Sequence, residues 1–173
     1  EGEQITIRGC EFRENPAGGI YARGEYITIA DTVIAWSAYA VNGLSLAEFT
    51  MERCDIVGNG GFAAVSLESW GKLALHGCRF VKNLGQGLTV DNTGFSFTDL
   101  GVDLTSCLFA DNANCGACIY IEHYWGPLHP ADSIRVDSCT FVGSTVGLAT
   151  WNTEGVVIRN SIFRENGVHY MGG

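Results

Sequence analysis

One eight-residue phrase recurs along the chain and constrains the fold more than any other feature. It begins as ITIRGCEF at residues 5–12 and returns as ITIADTVI (27–34), FTMERCDI (49–56), LALHGCRF (73–80), VDLTSCLF (102–109), IRVDSCTF (134–141) and VVIRNSIF (156–163). The sixth residue of each copy is taken as an anchor, and the anchors are Cys10, Thr32, Cys54, Cys78, Cys107, Cys139 and Ser161. The residues five before, three before and two after each anchor are all apolar. Alternation with period two, repeated every 22 to 32 residues, predicts a solenoid of short strands.

Each repeat is predicted to contain three short strands. The first two lie within the phrase and are separated by a two-residue step, whose second residue is often Gly, Asp, Ser or Asn, as in Gly9 and Asp31. These residues tolerate the left-handed backbone of a tight bend. The third strand follows a variable loop and is predicted at 19–23, 40–43, 64–68, 87–91, 118–122, 147–151 and 168–171. Stacked coils would pair each strand with its counterpart about 4.8 Å away. The predicted fold is therefore all-β, a parallel β-helix of about seven coils.

Composition excludes two classes of partner. The net charge is −9, with 10 Lys and Arg against 19 Asp and Glu. A nucleic-acid or anionic-membrane partner would require a basic face, so neither is expected. No apolar run approaches the roughly 20 residues of a membrane span, so none is predicted.

The seven cysteines fall into two groups. Five of them are anchors, which predicts a buried stack of small apolar side chains rather than a disulfide framework. Cys115 and Cys118 lie outside that position, in the segment NCGAC. A CxxC pair is compatible with a redox or metal site, but packing or a local disulfide is favoured here.

The two ends of the sequence match each other. The segment 170–173 would run into 1–5 in the same way that 22–26 runs into Ile27. We expect residues 1–173 to form a single β-helix domain without capping helices, as part of a longer solenoid. End-to-end self-association is the alternative way to cover the open edges.

The repeats resemble the right-handed parallel β-helix repeats of the pectate-lyase-like superfamily. That family's phrase, ItI-x-N-C-x-F followed by Asn, is similar to the first repeat at Ile5, Thr6, Ile7, Cys10, Phe12 and Asn15. It also resembles the segments containing Cys78, Phe80 and Asn83, and Cys107, Phe109 and Asn112. The resemblance implies a right-handed coil, an extracellular or cell-surface location, and a polysaccharide or other glycan lying across the third-strand sheet. It specifies the fold better than the activity.

We therefore expect the function to depend on the outward side chains of the third strand. If Ile20 and Ala22 point inward, the second outward column is predicted to contain Arg23, Leu44, Glu68, Asp91, Glu122 and Trp151. Three carboxylates on consecutive coils would lie about 5 Å apart. Like charges this close favour binding of a proton or a cation, although a solvated acidic face is the simpler interpretation.

This column supplies the candidate site residues. Glu68, Asp91 and Glu122, with His123 in the following loop, are the candidate catalytic groups. As a hydrolase, the protein would divide the nucleophile or base role and the acid role between Asp91 and Glu122. As a lyase or epimerase, it would use the same two carboxylates to hold Ca²⁺.

The candidate substrate-binding residues are aromatic or basic side chains near the carboxylates: Arg23, Tyr120, Trp125 and Trp151. The paired-Asp phrase of polygalacturonase-like enzymes is missing, and no basic residue lies near Asp91 on this face as in pectate lyases. A structural or adhesive β-helix without catalysis is therefore the alternative function.

Overall fold

The computed structural model describes residues 4–92, 101–121, 133–151 and 155–172, with only the backbone described at 45, 69, 70, 92 and 121. Every regular element in these ranges is a strand. In chain order they are β1 (Gln4–Arg8), β2 (Glu11–Arg13), β3 (Ile20–Arg23), β4 (Tyr26–Ala30), β5 (Val33–Ala35), β6 (Val41–Glu52), β7 (Asp55–Val57), β8 (Ala63–His76), β9 (Arg79–Val81), β10 (Gln86–Asn92), β11 (Gly101–Thr105), β12 (Leu108–Ala110), β13 (Cys115–Ile121), β14 (Ser133–Asp137), β15 (Thr140–Val142), β16 (Val146–Trp151), β17 (Val156–Arg159), β18 (Ile162–Arg164) and β19 (Val168–Gly172).

These strands form seven coils with three strand segments each, and all the pairs between coils are parallel. The second strands pair in the order β18-β15-β12-β9-β7-β5-β2. Two long strands, β6 and β8, each combine the third strand of one coil with the first strand of the next. Seven coils therefore contain 19 separate elements. The predicted all-β parallel β-helix of seven coils with three strands per coil is confirmed.

Two bends per coil use left-handed backbone. The bend between the first and second strands has a positive φ at Gly9, Asp31, Arg53, Gly77, Ser106, Ser138 and Asn160. A second series follows the second strand at Glu14, Trp36, Gly58, Lys82, Asp111, Gly143 and Glu165. The first series was predicted from the sequence. The second series was missed because four of its seven residues, Glu14, Trp36, Lys82 and Glu165, are not typical of left-handed backbone.

The core consists of columns of like residues stacked from coil to coil. Phe80, Phe109, Phe141 and Phe163 stack with ring centroids 4.7 to 4.9 Å apart and nearly parallel planes. The register of the second strands continues this column toward the first coil through Ile56, Ile34 and Phe12. Parallel pairing in register thus turns one apolar position of the repeat into a continuous buried column.

A second column is polar and follows the second strands. Asn59 Nδ2 donates to Ile34 O at 2.9 Å, while its Oδ1 accepts from Ser37 N at 3.0 Å. Asn83 and Asn112 make the same kind of bonds with the coils before them. Each asparagine is fully buried or nearly so. These asparagine side chains bind backbone N–H and C=O groups that the turn after each second strand would otherwise leave without hydrogen-bond partners.

Four of the five anchor cysteines form the predicted buried stack, whereas Cys10 in the first coil is half-buried. Cys54, Cys78, Cys107 and Cys139 are at most 2% exposed, and all seven cysteines of the chain are free thiols. Each anchor thiol donates to backbone carbonyls; Cys107 Sγ, for example, lies 3.3 Å from Leu75 O. Hydrogen bonds with the neighbouring thiols of Cys107 and Cys54, together with burial, raise the pKa of Cys78. This stack therefore serves packing.

Candidate functional site: the outward face of the third strands

Outward positions on the third strands are set by the register between coils. Thr89 pairs with Ser66 on one side and with Cys118 on the other, and Cys118 pairs with Ala149. Two residues further along, Asp91 pairs with Glu68 and with Tyr120, and Tyr120 pairs with Trp151. The intervening residues, such as Val90 and Ile119, are fully buried in the coil interior. The outward column that contains Asp91 therefore reads Glu68, Asp91, Tyr120, Trp151.

One sequence prediction about this column is wrong. Glu122 was expected to follow Asp91, but the residue paired with Asp91 in the fifth coil is Tyr120. The strand β13 begins at Cys115 and pairs Cys118 with Thr89 and Tyr120 with Asp91. The predicted register of this coil was therefore displaced by two residues. A run of three stacked carboxylates is replaced by two carboxylates followed by two aromatic rings.

The two carboxylates lie on adjacent parallel strands. Glu68 and Asp91 are register partners between β8 and β10, so their backbones are separated by about 4.8 Å. Glu68 is exposed and Asp91 is half-buried. Arg23 is also exposed, but it lies three coils before Asp91, with Leu44 next to it in register. The structure therefore brings Glu68 and Asp91 together and leaves Arg23 apart from them.

The aromatic pair continues the same column. The rings of Tyr120 and Trp151 have centroids 4.4 Å apart and an interplanar angle of 5°. Both are partly buried and pack against a small apolar cluster formed by Cys115, Cys118 and Ala149, separate from the main core. The two predicted contact residues Tyr120 and Trp151 are thus neighbours. Three further candidates, Glu122, His123 and Trp125, lie outside the described residues.

A buried polar group beside the aromatic pair was not predicted. The hydroxyl of Thr89 donates to Oε1 of Gln86 at 2.5 Å, and both residues are only 6% exposed. Cys115 and Cys118 occupy the equivalent positions one coil further on, and both thiols are 3% exposed. The only sequence signal was the recurrence of the spacing i, i+3 in Gln86-Thr89 and Cys115-Cys118.

The polar cluster of Gln86, Thr89, Cys115 and Cys118 affects the pKa of Tyr120. Burial, followed by the neighbouring Cys118 thiol, raises the pKa of Tyr120. A hydrogen bond between the two thiols, in addition to burial, raises the pKa of Cys115. Cys115 is therefore a neutral donor at neutral pH, and the Tyr120 hydroxyl also stays protonated. Gln86, Thr89 and Cys115 are at most 6% exposed, so this polar cluster lies below the surface and does not itself face a ligand.

The chain belongs to the right-handed β-helix family. A family model described as a right handed beta helix region matches residues 1–166, which gives the coil its hand and agrees with the parallel sheets described above. No curated protein and no solved structure shows significant similarity to the chain. In the part of the chain that the structure describes, no helix is long and apolar enough to cross a membrane.

Proposed function

We propose that this β-helix binds, and processes, an extended polysaccharide along the outward face of its third strands. The observation that carries the proposal is the register of Glu68, Asp91, Tyr120 and Trp151 in one column. Carboxylates accept hydrogen bonds from sugar hydroxyls, and aromatic rings supply apolar contact area with a polar edge. A linear ligand lying along the coil axis would meet both kinds of side chain in succession.

The aromatic pair favours binding at one end of this column. Because Tyr120 and Trp151 are stacked on each other at 4.4 Å, their rings are held in one orientation before a ligand arrives. A preorganised contact surface loses little conformational entropy on binding. We therefore assign Tyr120 and Trp151 to substrate binding and Glu68 and Asp91 to chemistry.

The spacing of the carboxylates suits acid–base work. Two carboxyl groups about 5 to 5.5 Å apart are typical of retaining glycosidases, in which one is the nucleophile and the other the acid. Adjacent coils give Glu68 and Asp91 a comparable backbone separation. In a hydrolase, half-buried Asp91 would be the nucleophile and exposed Glu68 the acid and base. His123 remains a proposed further proton donor.

Calcium belongs to the lyase or epimerase version of the proposal. Asp91 and its register partner Glu68 would hold the ion, because their carboxylates supply hard oxygens of the kind that Ca²⁺ prefers. The bound ion would neutralise a substrate carboxylate. Among the described residues, no three potential ligand side chains converge, so a uronate substrate would have to contribute oxygens. A secreted or cell-surface location is proposed with this function.

Binding and turnover of defined oligosaccharides test the proposal. The full chain is titrated with hexasaccharides of galacturonate, glucose and xylose, with and without Ca²⁺, and each is assayed for cleavage, elimination and epimerisation. Asp91→Asn and Glu68→Gln should each lower turnover at least 100-fold while the melting temperature stays within a few degrees. Glu14→Gln, an exposed carboxylate in the first coil, is the matched control. No binding of any glycan would refute the proposal; binding without turnover would retain only its binding part.

A second candidate function is a structural module that stacks end to end. Both end coils expose residues that are buried in the central coils: Ile7 and Phe12 at one end, and Ile158 and Phe163 at the other, are only partly buried. Val168 in β19 is 44% exposed. Sedimentation velocity over a hundred-fold range of concentration should show growing assemblies. Val168→Glu should abolish them, whereas Leu84→Glu, on the side of the solenoid and 72% exposed, should not.

A further inference from the structure

A separate groove lies on the outward face of the first strands, over the first three coils. Its lining consists of Gln4, Tyr26, Ile27, Thr28, Glu48 and Thr50. These residues belong to β1, β4 and the second half of β6. The carboxylates Glu68 and Asp91 lie on the third strands of the third and fourth coils, whereas the groove lies on first strands, so this groove is not part of the site described above.

Strand register creates the groove from two columns. Thr6, Thr28 and Thr50 are aligned in one column, and Gln4, Tyr26 and Glu48 are aligned in the other. The inward neighbours Ile27 and Ile29 are at most 2% exposed, so alternation turns both columns outward. Polar side chains therefore repeat at the coil spacing of about 4.8 Å along the groove.

The groove offers hydrogen-bonding groups that the described part of the protein does not use. No described residue forms a hydrogen bond or an ion pair with the side chains of Thr28, Thr50 or Glu48. Each threonine hydroxyl can both donate and accept, and the Glu48 carboxylate accepts from two donors at once. Tyr26 is 43% exposed, which leaves much of its ring available for apolar contact. The combination matches a ligand with several hydroxyl groups and an apolar ring face.

We infer that this groove is a second binding site, for a neutral oligosaccharide. An anionic sugar would meet the Glu48 carboxylate on a protein whose net charge is −9, which disfavours binding. A calcium ion takes six to eight oxygen ligands, whereas Glu48 is the single carboxylate among the described residues of the lining. A neutral sugar pairs with all of these groups without a charge penalty, with its ring against Tyr26.

The column of threonine hydroxyls formed by Thr6, Thr28 and Thr50 ends at Thr50. After Thr50 the next residues in the same column are Ala74, Asp103 and Arg135. Ala74 has no side-chain hydrogen-bonding group, and Asp103 and Arg135 are not part of the groove lining. In this direction the groove therefore ends at the third coil. It goes beyond the proposed function because it does not involve Glu68, Asp91 or the aromatic pair.

The test is an amide-shift NMR titration of the full chain with the hexasaccharides of glucose, xylose and mannose. Binding of at least one of them should shift the amides of Thr28 and Thr50. Thr28→Val with Thr50→Val keeps the side-chain shape and should weaken this binding at least ten-fold, as should Tyr26→Ala. Arg135→Ala, in the same outward column but outside the groove, should leave it unchanged.

Three outcomes would overturn the inference: no shift of these amides with any neutral hexasaccharide, equal binding by the threonine double variant, or saturation of the groove by CaCl₂ or hexagalacturonate instead. The circular dichroism spectrum and melting temperature of each variant show that it is folded. Asp91→Asn separates this site from the third-strand site. It should leave the shifts at Thr28 and Thr50 intact even when it abolishes binding or turnover at Asp91.

Discussion

The phenol ring of Tyr120 lies parallel to the indole of Trp151, with ring centroids 4.4 Å apart and planes 5° apart. The two residues are register partners on β13 and β16. Aromatic pairs contribute about 0.5–1.5 kcal/mol beyond the burial of their area. A double-mutant cycle of Tyr120→Ala and Trp151→Ala in urea unfolding should therefore give a coupling energy in that range. The cycle of Tyr21→Ala with Trp151→Ala should be additive, because exposed Tyr21 lies in the first coil.

The phenylalanine stack should dominate the stability of the central coils. Phe109 is fully buried between Phe80 and Phe141, so Phe109→Ala removes two ring contacts and leaves a cavity. The free energy of unfolding should fall by about 3–5 kcal/mol. Phe62→Ala is the matched control, since Phe62 is 71% exposed, and it should change stability by less than about 0.5 kcal/mol. Similar losses for both variants would contradict the column as the main source of stability.

Close packing between coils requires glycine at position 116. A Cβ added to Gly116 would lie 2.5 Å from Gly147 O and 3.1 Å from Phe109 Cβ. Gly116→Ala should therefore destabilise the protein by about 1–3 kcal/mol, measured by chemical denaturation, because the backbone of two coils must separate. At Gly101 the nearest atom of a described residue to an added Cβ is Lys72 Cγ at 3.8 Å. Gly101→Ala should consequently be neutral or slightly stabilising.

Thiol reactivity should separate Cys10 from the other cysteines. Cys10 is half-buried, whereas the remaining six are at most 3% exposed. An aromatic disulfide reagent at pH 7 should label only Cys10 in the native protein, and all seven thiols after unfolding in guanidinium. Cys10→Ser should remove the fast reaction. Finding five thiols in the unfolded, unreduced protein would mean that two of the cysteines are joined as a disulfide.

The pKa of Asp31 should depend on Arg53. Arg53 Nε donates to Asp31 Oδ1 at 2.6 Å and Nη2 donates to Oδ2 at 2.9 Å. These hydrogen bonds, aided by the charge of Arg53, lower the pKa of Asp31. The stabilisation is therefore present above the unfolded-state pKa of about 3.9 and is lost as pH falls through the lower folded-state value. Carboxyl NMR titration should show the Asp31 pKa rising in Arg53→Gln and unchanged in Arg79→Gln, whose arginine contacts Asp55.

The repeat made most of the fold predictable. Position two after each anchor is apolar in every copy, and the structure places these residues in one column from Phe12 to Phe163. The anchors likewise form the predicted stack. Such predictions succeed because parallel strands in register bury like residues on like residues, so a periodic sequence specifies its own neighbours.

The candidate site was less predictable, and the fifth coil shows why. The segment CGACIY at 115–120 has small apolar residues in succession, so its alternation does not reveal which side chains face outward. The pairing of β13 with β10 and β16 determines which side chains face outward, and it places Tyr120, rather than Glu122, beside Asp91. The groove at Thr28 and Thr50 was also missed. These threonines share one position of the repeated phrase, but the site was sought only on the outward face of the third strands.

The sequence by itself therefore determined the coil, its seven repeats and the columns that fill its interior, because burial imposes a strict period on apolar residues. Tertiary structure decided which outward side chains become neighbours. Outward residues follow no such period, since water accepts almost any of them. Their alignment depends on how each loop length shifts the next strand, and only the pairing of Asp91 with Tyr120 and of Tyr120 with Trp151 fixes it.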